Sequence, residues 1–137
     1  MLQRIGVSLE QDLLEKFDEL IEQRGYTNRS EAIRDLIRDQ LVQKQWAESS
    51  QQSMGVSMLV YDHHTRDLSQ KLAETQHDHY AEVVSTMHVH IDHNNCLELL
   101  VMKGKNNEIE ALGEKLASTH GVKYGKFIPA TTGKDLK

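Results

Sequence analysis

The stretch VVSTMHVHIDHNNCLELLVMK, residues 83–103, decides the fold. Two runs rich in β-branched and apolar residues, Val83–Ile91 and Leu97–Lys103, flank Asp92-His93-Asn94-Asn95. Asx residues suit a tight reversal, so the stretch reads as a β-hairpin. Side chains alternate along a strand. By that parity His88 and His90 share a face with Val84 and Thr86, while Met87, Val89 and Ile91 share the other; on the return strand Leu97, Leu99 and Val101 form one set, and Cys96, Glu98, Leu100 and Met102 the second. The more apolar face of the first strand is expected to meet helices, which puts His88, His90 and Cys96 on the sheet face that the helices leave bare. Val84, Leu100 and Met102 make that bare face too apolar for water, so it is expected to be buried against another subunit.

Working outward, a strand runs through Val56, Met58 and Val60, and a helix from Thr65 to about Gln76 carries Leu68 and Leu72 a turn apart. Past the hairpin, Ile109, Leu112 and Leu116 mark a second helix that stops near Gly121, and Val122–Ile128 is a last strand. The order βαββαβ is the ferredoxin-like unit, a four-stranded antiparallel sheet with both helices on one face.

The first third of the chain has a different pattern. Arg4 to Leu9 alternates strictly, placing Ile5, Val7 and Leu9 on one strand face and Arg4, Gly6 and Ser8 on the other. Leu13, Leu14, Phe17, Leu20 and Ile21 then recur at helical spacing up to Gly25, a stop signal, and Asn28-Arg29-Ser30 supplies capping residues for a helix striped with Ala32, Ile33, Leu36, Ile37 and Leu41. One strand and two helices are too few to bury a core alone, and a lone strand leaves both edges unpaired. Pairing with a second copy removes both defects. The expected organisation is α+β: a βαα module over 1–46, a polar linker AESSQQS over 47–53, and a ferredoxin-like domain over 54–137.

Composition narrows the function. The 137 residues include a single cysteine, which rules out a disulfide within the chain, and the formal net charge is −5. No apolar run reaches the ~18 residues that span a bilayer, and no signal-peptide pattern opens the sequence, so a cytoplasmic protein without a membrane partner is expected. Five of eight histidines, and Cys96, fall within residues 77–96. Imidazole and thiolate are donors for late first-row divalent metals. His88, His90 and Cys96 leave a four-coordinate site one ligand short, with His77 and His79 as candidates for the fourth. His63 and His64 beside Asp62 suggest a weaker additional site, and His93 a local hydrogen-bonding role in the turn. Glu98 shares the donor face and could orient a histidine from behind. A zinc hydrolase would need an open coordination position and a base, and no HExxH pattern occurs. A metal store leaves the N-terminal module unexplained, and a metal-independent antitoxin-like DNA binder leaves the histidines unexplained.

Over its whole length the chain resembles the nickel-responsive ribbon-helix-helix transcription regulators of the NikR type. The resemblance is carried by Asn28-Arg29-Ser30-Glu31-Ala32-Ile33-Arg34-Asp35, Thr75-Gln76-His77, His88-Val89-His90-Ile91-Asp92-His93 and Cys96-Leu97-Glu98. It implies that residues 1–46 are a ribbon-helix-helix DNA-binding module, that residues 54–137 are an ACT-type metal-binding and tetramerisation domain, and that the whole is a non-enzymatic, nickel-dependent regulator that represses nickel-uptake genes. The implied assembly is a homotetramer, a dimer of dimers bound to double-stranded operator DNA. It also implies that Ni(2+) is held by His88, His90 and Cys96 of one chain and His77 of a neighbour. Arg4 and Ser8 match base-contacting positions of the paired strands, with Gly6 departing from the usual polar residue; Asn28, Arg29, Ser30 and Arg66 match phosphate-contacting positions, with Thr65 replacing a basic neighbour. Glu31 and Asp35 match a site for K(+) between domains. Charge sharpens the DNA expectation: residues 1–46 hold seven Lys or Arg against nine Asp or Glu. Non-specific affinity, which comes mostly from phosphate neutralisation, should therefore be weak.

Overall fold

A computed structural model describes all 137 residues, which divide into two compact units, Met1–Leu41 and Val42–Lys137. In the first, α1 (Gln11–Gln23) ends in a Schellman turn: Tyr26 N–H donates to Ile21 O at 3.0 Å and Gly25 N–H to Glu22 O at 3.0 Å, with Gly25 at φ +82°. A β-carbon there would be strained, which is why glycine ends the helix. Asn28 then caps α2 (Arg29–Ala47), its side-chain oxygen accepting the Glu31 N–H at 2.9 Å. Arg29 reaches back to Asp18 through two hydrogen bonds of 2.8 Å and ties the helices together.

Arg4–Leu9 has no regular secondary structure, contrary to the expected strand, because a strand needs a partner and a single chain offers none. Ile5, Val7 and Leu9 are exposed, as are Leu13, Leu20, Leu36, Ile37 and Leu41. Within this unit only Ile21 and Ala32 are buried apolar residues.

The second unit is ferredoxin-like. Strands β1 (Gln52–Asp62), β2 (Val83–His90), β3 (Asn95–Lys105) and β4 (Val122–Pro129) lie in the order β2-β3-β1-β4, all neighbours antiparallel, with α3 (Leu68–Asp78) and α4 (Asn106–Ala117) as crossovers. α3 starts three residues later than expected because Asp67 sits in the left-handed region at φ +61° and interrupts the helix before it. The hairpin turn forms as the Asx pattern requires: one carboxylate oxygen of Asp92 accepts both the Asn94 N–H at 2.9 Å and the Asn95 N–H at 2.7 Å. Close approach of α4 to the sheet depends on Gly125, where a β-carbon would stand 2.6 Å from that of Ala117.

Along the polar tract 47–53, Ala47 ends α2, Gln52 and Ser53 begin β1, and in the intervening turn Asn106 N–H donates to Gln51 O at 2.9 Å and Asn107 N–H to Ser49 O at 3.0 Å. One expectation about the sheet is corrected, namely which face is covered. Leu100 and Met102 have no exposed surface and Cys96 is 3% exposed; they belong to a core with Leu59, Tyr61, Leu68, Leu72, Ile109, Leu112 and Leu116. The helices therefore pack on the Cys96 side. The opposite face, with Met87, Val89, Ile91, Tyr124 and Ile128 exposed and Val56, Met58, Val60, Leu97, Leu99 and Val101 half-buried, is the bare one. A register shift between Val83 and Ser85 adds to the difference, sending Val83 toward the core and leaving Val84 exposed.

Candidate metal centre

The donor residues of the hairpin do share a face. His90 pairs with Cys96 across the strands and His88 with Glu98, so directly opposed side chains stand on the same side of the sheet. That side is the helix-covered one, but β2 is an edge strand. His88 and His90 are accordingly exposed while Cys96, one strand further in, is buried. The result is a thiol at the floor and two imidazoles at the rim.

Beneath the imidazoles lies a buried polar network. Glu98 is 1% exposed; it accepts a hydrogen bond from the Tyr61 hydroxyl at 2.8 Å and another from the Gln76 side-chain amide at 2.7 Å. His88 Nε2 stands 3.4 Å from the same Glu98 oxygen that Gln76 uses. Burial, then hydrogen bonding to Glu98, then the neighbouring Cys96 thiol push the Tyr61 phenol far above its ordinary pKa, so it remains a donor across the usable pH range. Each oxygen of the carboxyl group accepts a hydrogen bond, which is how a buried acid is tolerated. Sequence reasoning placed Glu98 on the donor face but missed Tyr61 and Gln76. Strand parity was the available signal for Tyr61, which pairs with Cys96 in the β1–β3 register.

His77 does not join this cluster within its own chain. Gln76 occupies the side of α3 turned toward Glu98, and the next residue is rotated about 100° around the helix, leaving His77 exposed in the last turn. No three His, Cys, Asp or Glu groups of a single chain converge on one ion position. His79 follows as the residue that ends α3. The His63 ring is 5.6 Å from that of His90 and 4.2 Å from that of His64, and His64 is 5.5 Å from His93, so the other histidines line the rim without closing a site.

The DNA-facing expectations fall on exposed residues. Arg4, Ser8, Ser30 and Arg66 are all at the surface, Arg66 being 3.7 Å from Asp67. Asn28 and Arg29 are engaged as described, the Arg29 guanidinium holding the Asp18 carboxyl below its ordinary pKa. Of the expected cation pair, Asp35 already accepts the Tyr26 hydroxyl at 2.6 Å and Arg38 at 3.2 Å, while Glu31 accepts the Thr27 hydroxyl at 3.3 Å. No helix is long and apolar enough to cross a membrane.

Residues 54–129 match the family model for the NikR C-terminal nickel-binding domain, and residues 3–44 match that for ribbon-helix-helix proteins of the copG family. The chain is 57% identical over 138 residues to a nickel-responsive regulator of Anaeromyxobacter dehalogenans (strain 2CP-1), with 99% of each chain covered. It is likewise 57% identical over 133 residues to one of Solidesulfovibrio magneticus and 53% identical over 133 residues to one of Geobacter sulfurreducens, each covering 97% of this chain and 96% of the relative. A solved structure of an uncharacterized protein from Thermotoga maritima is similar with a TM-score of 0.53 at 21% identity, over 59% of this chain and all of the other, and bears on the fold alone. Both domain matches and the full-length relatives agree: the chain belongs to the NikR family of nickel-responsive regulators, transcription factors rather than enzymes, with a ribbon-helix-helix DNA-binding unit ahead of a nickel-binding domain.

Proposed function

We propose that the protein is a nickel-dependent repressor of nickel-uptake genes in the cytoplasm, and that it holds nickel between subunits through His88, His90 and Cys96 of one chain and His77 of another. The observation that carries this reading is the cross-strand pairing of His90 with Cys96, beside a His88 backed by the buried Glu98, in a chain that by itself closes no set of three donors on one ion. Two imidazoles and a thiolate suit a late first-row divalent ion, and nitrogen and sulfur donors in a plane suit Ni(II) or Cu(II). Bound there, the ion joins two chains. Glu98 orients the His88 ring from behind.

A tetramer fits the surfaces that one chain leaves uncovered. The bare sheet face, apolar across all four strands, suits a like face of another copy, and the exposed stripe of Ile5, Val7, Leu9, Leu36 and Ile37 suits strand pairing and helix interlock between two N-terminal units. In the paired strands Arg4 and Ser8 alternate outward with Gly6, where they can read base edges in the major groove. The free N–H groups at the start of α2, near Asn28, Arg29 and Ser30, suit a phosphate, as does the exposed Arg66. A potassium ion at Glu31 and Asp35 would have to share Asp35 with Tyr26 and Arg38.

Mobility shift of a promoter fragment with and without one equivalent of nickel per chain tests the reading. Binding that strengthens with nickel is expected, and equal binding in both states overturns it.

A further inference from the structure

Helix α3 meets the core along one stripe. Leu68, Leu72 and Gln76 follow one another at intervals of four, so they stand on the same side of the helix. The first two are each 1% exposed and pack in the core; the third is half-buried and polar, and its amide donates to Glu98 Oε1 at 2.7 Å. The last turn is thus tied to the sheet by a hydrogen bond rather than by buried apolar side chains. His77, the next residue, is exposed.

The oxygen that takes the Gln76 amide also faces His88 Nε2, at 3.4 Å. That separation is longer than a full N–H···O bond, so it is the contact left to tighten. A carboxylate oxygen has two lone pairs and can serve both donors. The other oxygen is occupied by the Tyr61 hydroxyl at 2.8 Å, so the carboxylate cannot turn toward one donor without losing its bond to β1. In the shared site proposed above, on which this inference rests, each chain takes part in two sites, with His88 in its own and with His77 in a neighbour's. Glu98 Oε1 touches His88 directly and His77 through the adjacent Gln76. We propose that Gln76 is a positioning residue that couples the two sites through Glu98, so that nickel loads cooperatively. An imidazole whose one nitrogen has given its lone pair to a cation donates more strongly through the other. His88 then draws in Glu98 Oε1, Glu98 fixes Gln76, and the last turn of α3 holds His77 where the neighbouring site needs it. Ordering brought about at the first site is not required again at the second.

The test titrates the full-length, metal-free protein with nickel buffered by a competing chelator, reading the thiolate-to-metal absorption. In the wild type the later ions should bind at least about fivefold more tightly than the first, the lower end of the usual coupling between sites. Gln76→Leu extends the Leu68–Leu72 stripe and removes the amide; it should reach the same stoichiometry and absorption, but with the isotherm of independent sites. Gln70→Ala removes an exposed bond to Glu74 on the same helix and should remain as steep as wild type. A role in stability alone would shift the midpoint of Gln76→Leu without flattening its curve. A Gln76→Leu isotherm as steep as wild type, or an equal flattening in Gln70→Ala, overturns the coupling. If circular dichroism shows that Gln76→Leu does not fold, Gln76→Ala decides in its place. A wild type with no thiolate-to-metal absorption overturns the nickel site itself, whereas full absorption with independent sites overturns only the coupling.

Discussion

Replacing Glu98 removes the acceptor on which the buried network converges. In Glu98→Ala the Tyr61 hydroxyl and the Gln76 amide, at 2.8 and 2.7 Å from the two carboxyl oxygens, both lose their partner in a place where Glu98 is 1% exposed. A buried donor left without its acceptor costs about 1–3 kcal/mol, so two give roughly 2–6 kcal/mol. Gln76 is only half-buried and regains some water, which brings the expected loss to about 2–4 kcal/mol. Glu98→Gln keeps one acceptor oxygen, and the Tyr61 hydroxyl can turn to accept from the new amide, so about 1 kcal/mol is expected there. Urea unfolding of metal-free protein, followed by circular dichroism at one fixed chain concentration, reads the difference. With a slope near 2 kcal/mol/M, the Ala variant should lose about 1–2 M from its midpoint and the Gln variant about 0.5 M. If both variants fall within about 0.5 M of wild type, the network contributes little and the argument from buried donors fails. A second measurement follows from the proposed site: nickel affinity of the folded Gln variant should drop about 10- to 100-fold, as when a group behind a metal-bound histidine is lost.

Cys96→Ala should abolish the thiolate-to-nickel absorption band and the nickel-dependent gain in DNA binding, and retention of either assigns the metal elsewhere. Val89→Glu, on the bare sheet face, should lower the mass seen by sedimentation while leaving the far-ultraviolet circular dichroism unchanged. Asn28→Ala removes the cap of α2 and should cost about 1 kcal/mol of thermal stability in the N-terminal unit. Asp18, Asp35 and Asp92 all have lowered pKa values, held down by Arg29, by the Tyr26 hydroxyl, and by the Asn95 and Asn94 N–H groups respectively. A carboxylate with a lowered folded pKa stabilises fully above its ordinary value of 3.8 and loses that contribution as pH falls through the lowered value. Acid unfolding should therefore steepen below about pH 4, and Asp92→Asn should flatten that limb.

Helix and strand types were legible because each rests on local signals. The Schellman turn at Gly25, the Asn28 cap and the Asp92 turn all follow from short sequence patterns and occur as expected. Two features were not. The tract 47–53 reads as a linker by composition, and the bonds made to its backbone come from Asn106 and Asn107, some sixty residues away in sequence. The Arg4–Leu9 alternation has the period of a strand, and periodicity carries no information on whether a pairing partner is present.

By itself the sequence determined which residues keep company: period-two alternation put His88, His90, Cys96 and Glu98 on one face, and the register confirms that companionship. It did not determine which face the helices would cover. Both faces of β3 are apolar, Leu97, Leu99 and Val101 on one side and Leu100 and Met102 on the other, so hydrophobicity gives no preference. The choice is made when strand order and the handedness of the crossovers bring α3 and α4 down on one side. That packing buried the Cys96 thiol under the helices, left the two histidines at the open edge, and turned the other apolar face outward.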